Sequence, residues 1–170
     1  MTVITLTTDF GTDDAYVATM KGVILSINPK AKIVDICHTV KPQHITQAAY
    51  ILSTATGFFP DGTIHVAVID PGVGTKRKAV LLAGPKSYYV GPDNGVFGYV
   101  ASQSSHKMHA FELTNESYWL HPVSHTFHGR DIFAPVAAHL SLGVAPHELG
   151  STITALSGVT LSRPYHHEDG

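Results

Sequence analysis

The sequence predicts an α/β domain with a mostly parallel central sheet flanked by helices. Short runs rich in β-branched residues alternate with longer segments whose apolar residues recur at helical spacing. This alternation is typical of β-α-β units, which build parallel sheets. The 170 residues, of which 44% are hydrophobic, are enough for one domain with a substantial core. We expect the domain to occupy residues 1–160 and a tail or linker to occupy 161–170.

The first half of the chain predicts three strands alternating with two helices. Thr12 and Asp13 are residue types that favour the N-cap of the first helix. Asn28-Pro29 ends that helix, and Lys41-Pro42 separates the second strand from the second helix. The expected elements are a strand at Val3–Thr8, a helix at Asp14–Ile27, a strand at Lys32–His38, a helix at Gln43–Thr56 and a strand at His65–Ile69.

The second half predicts a hairpin, a further strand and a last helix. Gly84-Pro85 separates two short apolar runs, as the turn of a hairpin would. Pro135 lies early enough to occupy the first turns of the last helix, where a missing N–H costs little. The expected elements are strands at Ala79–Ala83, Ser87–Val90 and Met108–Leu113, a short helix near Val96–Ser102, an irregular segment at Thr114–Thr126 and a helix from about Gly129 to Leu142.

Composition argues against several classes of partner. Eleven basic and 13 acidic residues give a net charge of −2 without a basic patch, so we expect no binding to nucleic acid. The single cysteine, Cys37, lies in an apolar run, which predicts a buried, inert thiol in a reducing compartment. We find no signal peptide and no apolar run near the roughly 18 residues of a membrane span, so we expect a cytoplasmic protein. Charged residues make up only 14%, which indicates that a partner covers part of the surface.

Three polar segments adjoin the predicted strands and helices. Thr8–Gly11, together with Asp14, follows the first strand, and Asp70–Arg77 follows the third. In a parallel sheet these two loops share the edge at which ligands bind. Thr126–Asp131 leads into the last helix, whose N-terminal dipole favours anions or polar groups. We therefore expect one site built from the three segments.

Asp70, Arg77 and His128 form the candidate cluster within that site. Arg77 lies seven residues after Asp70, far enough for the Pro- and Gly-containing loop to fold back. A permanently charged guanidinium holds a carboxylate ionised, and an imidazole beside an acid can position and deprotonate water. Each residue also has a plain structural explanation: Asp70 as a strand exit, Arg77 as a solvated loop residue and His128 as a core histidine.

Four sequence blocks then carry a family resemblance. They are TTDFGTDDAYVATMKGVI, VIDPGVGTKR, GPDNGVF and TFHGRDIFAPVAAHL. In this order they closely resemble the S-adenosylmethionine (SAM) hydroxide adenosyltransferases, relatives of the SAM-dependent fluorinase and chlorinase. The resemblance extends from Met1 to about Gly150. It implies cleavage of SAM by water at the 5′ carbon to adenosine and L-methionine, with SAM as substrate and no cofactor or metal.

The resemblance also implies roles for individual residues. Asp70, Arg77 and His128 would place the attacking water, and Asp9 would hold the ribose hydroxyls. The other substrate-binding residues that it implies are Phe10, Asp14, Asp93, Asn94, Phe127 and Gly129. In the halogenating relatives the position of Asp70 is uncharged. Since a carboxylate near a bound halide repels it by on the order of several kcal/mol, Asp70 favours hydrolysis over halogenation.

The family further implies a second, smaller β-barrel domain and a homotrimer in the full-length form. No motif of that domain follows Gly158, so we expect the β-barrel domain to be absent and the 170 residues alone to bind SAM weakly or not at all. Two alternatives stay open. One is a metal-dependent hydrolase using His38, His65 and Asp70, although no metal-ligand spacing supports it. The other is a non-catalytic nucleoside-binding module.

Overall fold

A seven-stranded sheet with helices on both faces organises residues 2–157, which are the residues that the computed structural model describes. The predicted tail at 161–170 lies outside them. The strands are β1 Val3–Thr8, β2 Lys32–Cys37, β3 Thr63–Val68, β4 Ala79–Ala83, β5 Ser87–Pro92, β6 His109–Leu113 and β7 Gly150–Ile153. The helices are α1 Tyr16–Ile27, α2 Ile45–Ala55, α3 Gly98–Gln103 and α4 Ala134–Ser141, and a π-helical turn at Gly129–Phe133 opens α4. Short 3₁₀ turns lie at Thr56–Phe58, Glu116–Tyr118 and Pro146–Glu148.

The strand order is β2-β1-β3-β5-β4-β6-β7. The four strands β2, β1, β3 and β5 are parallel, whereas β5–β4, β4–β6 and β6–β7 pair in antiparallel fashion. The α/β class is confirmed, and the predicted parallel character holds for the first four strands. The sheet becomes mixed because the predicted hairpin at Gly84-Pro85 is too short for a crossover and reverses the chain. β7, which the sequence pattern does not distinguish, adds the last strand.

The two faces of the sheet are covered by different helices. Alternate residues of β3 enter different cores: Val66 and Val68 pack with α1 and α4, whereas Ala67 packs with α2 and α3. Every residue of β3 is buried, which explains its almost continuous apolar sequence. The inner face of α2 is formed by its buried residues Ala48, Ala49 and Leu52. Within residues 2–157, no helix is both long and apolar enough to cross a bilayer.

Some local predictions are wrong. Helix α1 begins at Tyr16, and its N-cap is Ala15, which has no capping side chain, so neither Thr12 nor Asp13 is the cap. Asp14 instead bonds the first turn of the helix: its Oδ1 accepts a hydrogen bond from the Tyr16 N–H at 2.9 Å. Cys37 is partly exposed rather than buried, since β2 is an edge strand.

The last helix begins as predicted but with a wider turn. Gly129–Phe133 is π-helical, and α4 follows with Pro135 in its first turn. Asp131 is fully buried within the π-helical turn, where its Oδ2 accepts from the Ser124 N–H at 2.8 Å. Arg130 Nε donates to Asp131 Oδ1 at 2.6 Å. These bonds fasten the irregular segment before the helix to the start of the helix.

Candidate active site

The three polar segments converge at the carboxyl edge of the parallel strands. β1 and β3 are parallel neighbours, so Asp9 and Asp70, which follow them, lie on one edge. Gly129 reaches the same place, because a Cβ added to it would lie 3.4 Å from Val68 Cγ1 and 3.6 Å from Phe10 Cζ. The expectation of one shared edge is therefore met.

Asp70 and Arg77 form a nearly enclosed ion pair at this edge. Arg77 Nε donates to Asp70 Oδ1 at 2.9 Å and to Oδ2 at 3.0 Å, and Arg77 Nη2 also contacts Oδ2. The two side chains are only 5% and 10% exposed, respectively. Charge-assisted bonds of this kind are stronger than neutral ones, and they leave little freedom to the guanidinium.

Successive turns bring Arg77 back to Asp70. The Val73 N–H donates to the Asp70 carbonyl at 3.2 Å, and the Thr75 N–H donates to the Gly72 carbonyl at 3.1 Å. Gly74 has φ +74°, and a Cβ there would lie 2.5 Å from the carbonyl oxygen of His125. Only glycine fits this position, so the loop is held against the segment that leads to His128.

His128 completes the cluster through the same guanidinium. Its Nδ1 lies 2.7 Å from Arg77 Nη2. Because arginine can only donate, Nδ1 must accept, and in the neutral ring the hydrogen is then carried by Nε2. Burial lowers the pKa of His128, and the charge of Arg77 lowers it further, against the opposing effects of Asp70 and Asp131. The imidazole is therefore held neutral, and its Nε2–H has no hydrogen-bond partner among residues 2–157.

The structure places the other residues implied by the resemblance in different settings. Asp9 Oδ2 accepts from the Gln43 N–H at 2.8 Å, which ties the loop after β1 to the start of α2. Asn94 Nδ2 donates to the Ile69 carbonyl at 2.8 Å, directly beside Asp70. Asp93 accepts from both the N–H and the hydroxyl of Ser157, at 2.7 and 3.0 Å, and is 8% exposed. Their roles in binding substrate stay predictions.

An aromatic group borders the cluster. Tyr16 stacks on Phe127 with ring centroids 4.9 Å apart and lies 5.9 Å from Phe10. The Arg130 Cζ lies 5.0 Å from the Phe127 centroid. Tyr16, which is 41% exposed, is the residue that sequence reasoning missed. The signal that could have found it was a large aromatic residue in the first turn of the helix after the Asp9 loop.

The three residues of the metal-hydrolase alternative do not come together. His65 is fully buried, and its Nδ1 lies 2.8 Å from Thr5 Oγ1 among residues that face α2. His38 Nδ1 lies 2.9 Å from Thr8 Oγ1. Within residues 2–157, no group of three or more histidine, cysteine or acidic side chains is arranged to hold a metal ion.

Comparisons with known proteins identify relatives of this chain. The family model described as "SAM hydroxide adenosyltransferase N-terminal domain" matches residues 4–150. An (R)-S-adenosyl-L-methionine hydrolase from Methanocaldococcus jannaschii is 49% identical over 143 residues, covering 81% of this chain and 52% of that protein. One from Thermus thermophilus is 43% identical, covering 85% and 59%. A fluorinase from Actinoplanes is 27% identical, covering 95% of this chain and 62% of that protein.

A solved structure supports the same relationship. An uncharacterized conserved protein from Thermotoga maritima matches with a TM-score of 0.91 and 39% identity, covering 95% of this chain and 62% of its own. The chain thus spans about half to three-fifths of the length of these relatives. The region matched by the family model contains most of β1, all of β2 to β6, the π-helical turn and the whole Asp70, Arg77 and His128 cluster. The chain belongs to the family of the SAM hydroxide adenosyltransferase N-terminal domain.

Proposed function

We propose that this domain supplies the water-positioning part of an enzyme that hydrolyses SAM to adenosine and L-methionine. The observation that carries the proposal is the continuous contact from Asp70 through Arg77 to His128 at the sheet edge. Its sequence similarity to two hydrolases, to which it is 49% and 43% identical, also supports the proposal.

The reaction makes modest demands on the protein. An oxygen of water forms a bond to the 5′ carbon while the bond from that carbon to sulfur breaks. The electron pair of that bond goes to sulfur, which leaves as the neutral thioether of methionine and needs no general acid. One proton is released from the water. The protein must therefore align the nucleophile, exclude bulk water and accept one proton.

The hydrogen-bond pattern favours different roles for the three residues. His128 has its Nδ1 lone pair directed at Arg77, so its Nε2–H is suited to orient the water rather than to take its proton. The fixed charge of Arg77 favours hydroxide over water. Asp70 has acceptor capacity beyond its bonds to Arg77, because each carboxylate oxygen has two lone pairs. We assign to Asp70 the hydrogen bond from the attacking water; because Arg77 keeps the carboxylate ionised, the released proton passes from Asp70 to solvent rather than staying on it.

The same carboxylate favours water over halide as the nucleophile. The Asp70 side chain is only 5% exposed, so solvent screens its charge poorly. A fluoride or chloride ion beside it would be repelled, whereas water can donate a hydrogen bond to it. This argument supports hydrolysis for this chain, even though a fluorinase is among its relatives.

The remainder of the substrate site would come from another part of a larger assembly. The region of similarity to this chain covers only 52% and 59% of the two matched hydrolases. We propose that a second domain and a homotrimer complete the site, that SAM is the substrate and no cofactor is needed, and that the protein is cytoplasmic. SAM binding by the 170 residues alone would then be weak.

Three single substitutions test the proposal. Asp70→Ala, Arg77→Ala and His128→Ala should each lower adenosine release from SAM by about 10²- to 10⁴-fold, the range that general acid-base groups contribute. Adenosine is measured by chromatography. Asp61→Ala is the matched control. The Asp61 side chain is 73% exposed, and its ion pair with Lys86 is long, at 3.9 Å, so its loss should have little effect. Undiminished turnover in all three variants would contradict the assignment.

Calorimetry, together with the adenosine assay, distinguishes the non-catalytic nucleoside-binding module from the proposed hydrolase. If the wild-type chain binds adenosine but releases none from SAM, the non-catalytic module is favoured. Micromolar affinity of the 170 residues for SAM would contradict the expectation of weak binding.

A further inference from the structure

His38 is a buried polar residue that the proposed chemistry does not use. It follows β2, is 9% exposed, and its Nδ1 lies 2.9 Å from Thr8 Oγ1 at the end of β1. Its Nε2 lies 3.0 Å from Asp35 Oδ1, an ion-pair distance without the alignment of a good hydrogen bond. Lys21 Nζ contacts the other oxygen of Asp35 at 2.6 Å. One ring nitrogen, Nδ1, therefore faces a hydroxyl, and the other, Nε2, faces a carboxylate.

These contacts give the hydrogen bonds a direction. Burial opposes ionisation of Asp35, but its contacts with Lys21 and His38 outweigh burial and lower the pKa of its carboxyl. The ionised carboxylate favours a hydrogen on Nε2 of His38, so Nδ1 is free to accept the hydroxyl hydrogen of Thr8. The Thr8 oxygen in turn accepts the Phe10 N–H at 3.3 Å.

A second bond joins His38 to the same loop. The Gly11 N–H donates to the His38 carbonyl at 2.7 Å, and Gly11 has φ +74°. Residues 10 and 11 are thus both tied to His38, one through the Thr8 hydroxyl and one through the backbone. Asp9 precedes them and is itself bonded to the Gln43 N–H.

The position of this loop matters for the site. Phe10 Cζ lies 3.6 Å from the position that a Cβ of Gly129 would occupy, next to His128. A shift of the loop would therefore move both the Asp9 carboxylate and the Phe10 ring relative to the water-positioning cluster. A displacement of about 1 Å in a positioning group is enough to cost an enzyme about 100-fold.

We infer that His38 is a positioning residue: through the Thr8 hydroxyl it fixes the Thr8–Gly11 loop in the conformation that binds the substrate. The inference rests on the proposed function for the identity of that substrate, SAM. The backbone bond from Gly11 would survive any substitution of His38, so side-chain variants isolate the contribution of the imidazole.

Two amide variants separate the ring nitrogens. In His38→Asn the side-chain amide oxygen can take the place of Nδ1 and accept from Thr8, whereas in His38→Gln the amide takes the place of Nε2 and the Thr8 bond is lost. His38→Gln should make the Phe10 amide exchange about tenfold faster, the effect of one lost hydrogen bond. It should also raise KM for SAM about tenfold and change kcat less than about twofold. His38→Asn should resemble the wild type in both measurements.

A third variant checks the route through the hydroxyl. Thr8→Val removes the hydroxyl at nearly constant volume, and with it both the bond to His38 and the acceptor of the Phe10 N–H, so it should speed Phe10 exchange and raise KM at least as much as His38→Gln. The double variant should then add little to Thr8→Val, because the bond that His38→Gln breaks is already lost when the Thr8 hydroxyl is removed. Nitrogen chemical shifts of the His38 ring in the wild type should give a hydrogen on Nε2, and a hydrogen on Nδ1 would contradict the inference.

The two measurements keep this inference separate from the proposed function. Residue-resolved hydrogen exchange uses the 170-residue chain without substrate, so it decides the placement of the loop even if the wild type releases no adenosine; that result would count against the proposed function alone. Wild-type exchange at Phe10 in both His38→Gln and Thr8→Val would overturn the inference. Equal defects in the Asn and Gln variants, together with faster exchange in β3, would also overturn it, since they indicate a purely structural role.

Discussion

His65 lies within the sheet, whereas His128 lies at the start of the last helix, next to the edge of the sheet. His65 lies inside β3, fully buried, with its ring 5.1 Å from that of Tyr89 and 5.5 Å from that of Phe59. Burial alone lowers its pKa from 6.5 to about 4. His128 lies at the edge, only partly buried, and has a guanidinium 2.7 Å from its Nδ1.

The comparison teaches that location inside the sheet or at its edge decides what an imidazole can do. Within the strand, side chains are enclosed between sheet and helices, and His65 can only bond its neighbour Thr5. Beyond the strand end, loops bring charged groups together in a place that a ligand can reach. Both rings are kept neutral, but only His128 retains a donor that faces an accessible site.

The largest expected effect comes from a matched pair of substitutions. His128→Asn should lower turnover of SAM by about 10²- to 10⁴-fold and change the free energy of unfolding by less than about 1 kcal/mol. His65→Asn should leave turnover per folded molecule unchanged but lower the free energy of unfolding by about 2 kcal/mol, because its packing is lost. Chromatography and urea unfolding measure the two quantities. Equal losses of turnover in the two variants would contradict the division of roles.

The second effect concerns pH and stability. The folded-state pKa of His65, about 4, is below the unfolded value of 6.5, so the unfolded chain binds more protons between these limits. Stability is therefore fully present above pH 6.5 and should fall by up to about 3 kcal/mol as the pH drops toward 4.

Urea unfolding of the wild type and His65→Leu at several pH values measures this effect. The pKa values of His128 and His139 are also lowered by burial, so they contribute with the same sign and persist in the variant. The difference between the two proteins isolates His65. An unchanged pH dependence in His65→Leu would be the contradictory result.

The smallest effect contrasts two glycines on opposite faces. A Cβ at Gly91 would lie 2.4 Å from the Ala67 carbonyl oxygen, which cannot move away, so Gly91→Ala should cost about 2 kcal/mol. A Cβ at Gly129 would meet only side chains, the nearest being Met20 Sδ at 3.3 Å. Gly129→Ala should cost less than about 1 kcal/mol. Thermal unfolding measures both, and a larger cost at Gly129 would show that the edge is packed as rigidly as the core.

Much of the fold is predictable because its signals are local. The β-branched run of β1 and the helical spacing of α1 identify both elements, although Asp14 rather than Thr12 or Asp13 bonds the start of the helix. The order of the strands is not predictable in this way, because pairing joins segments far apart in the chain. The short β7 has no pattern of its own and is defined by its partner β6.

The candidate site is predictable to the extent that its residues follow strand ends. Asp70 and Arg77 meet as their spacing predicts, and the helix start brings His128 to them. The sequence does not single out Tyr16, and it suggests His38 only as a metal ligand, because their contacts with Phe127 and Thr8 exist only in the folded chain. The hydrogen bond from the Ser157 N–H to Asp93 is not predictable from the sequence for the same reason.

The π-helical turn at Gly129–Phe133 has a consequence for how this region tolerates insertions and deletions. Such a turn contains one residue more than a regular turn, and each residue corresponds to about 100° of rotation about the helix axis. Deleting a residue there would let α4 continue as an ordinary helix, yet it would swing His128 about a quarter of a revolution away from Arg77. Shortening this segment would thus preserve secondary structure while dismantling the cluster, so its length is as much a part of the site as its side chains.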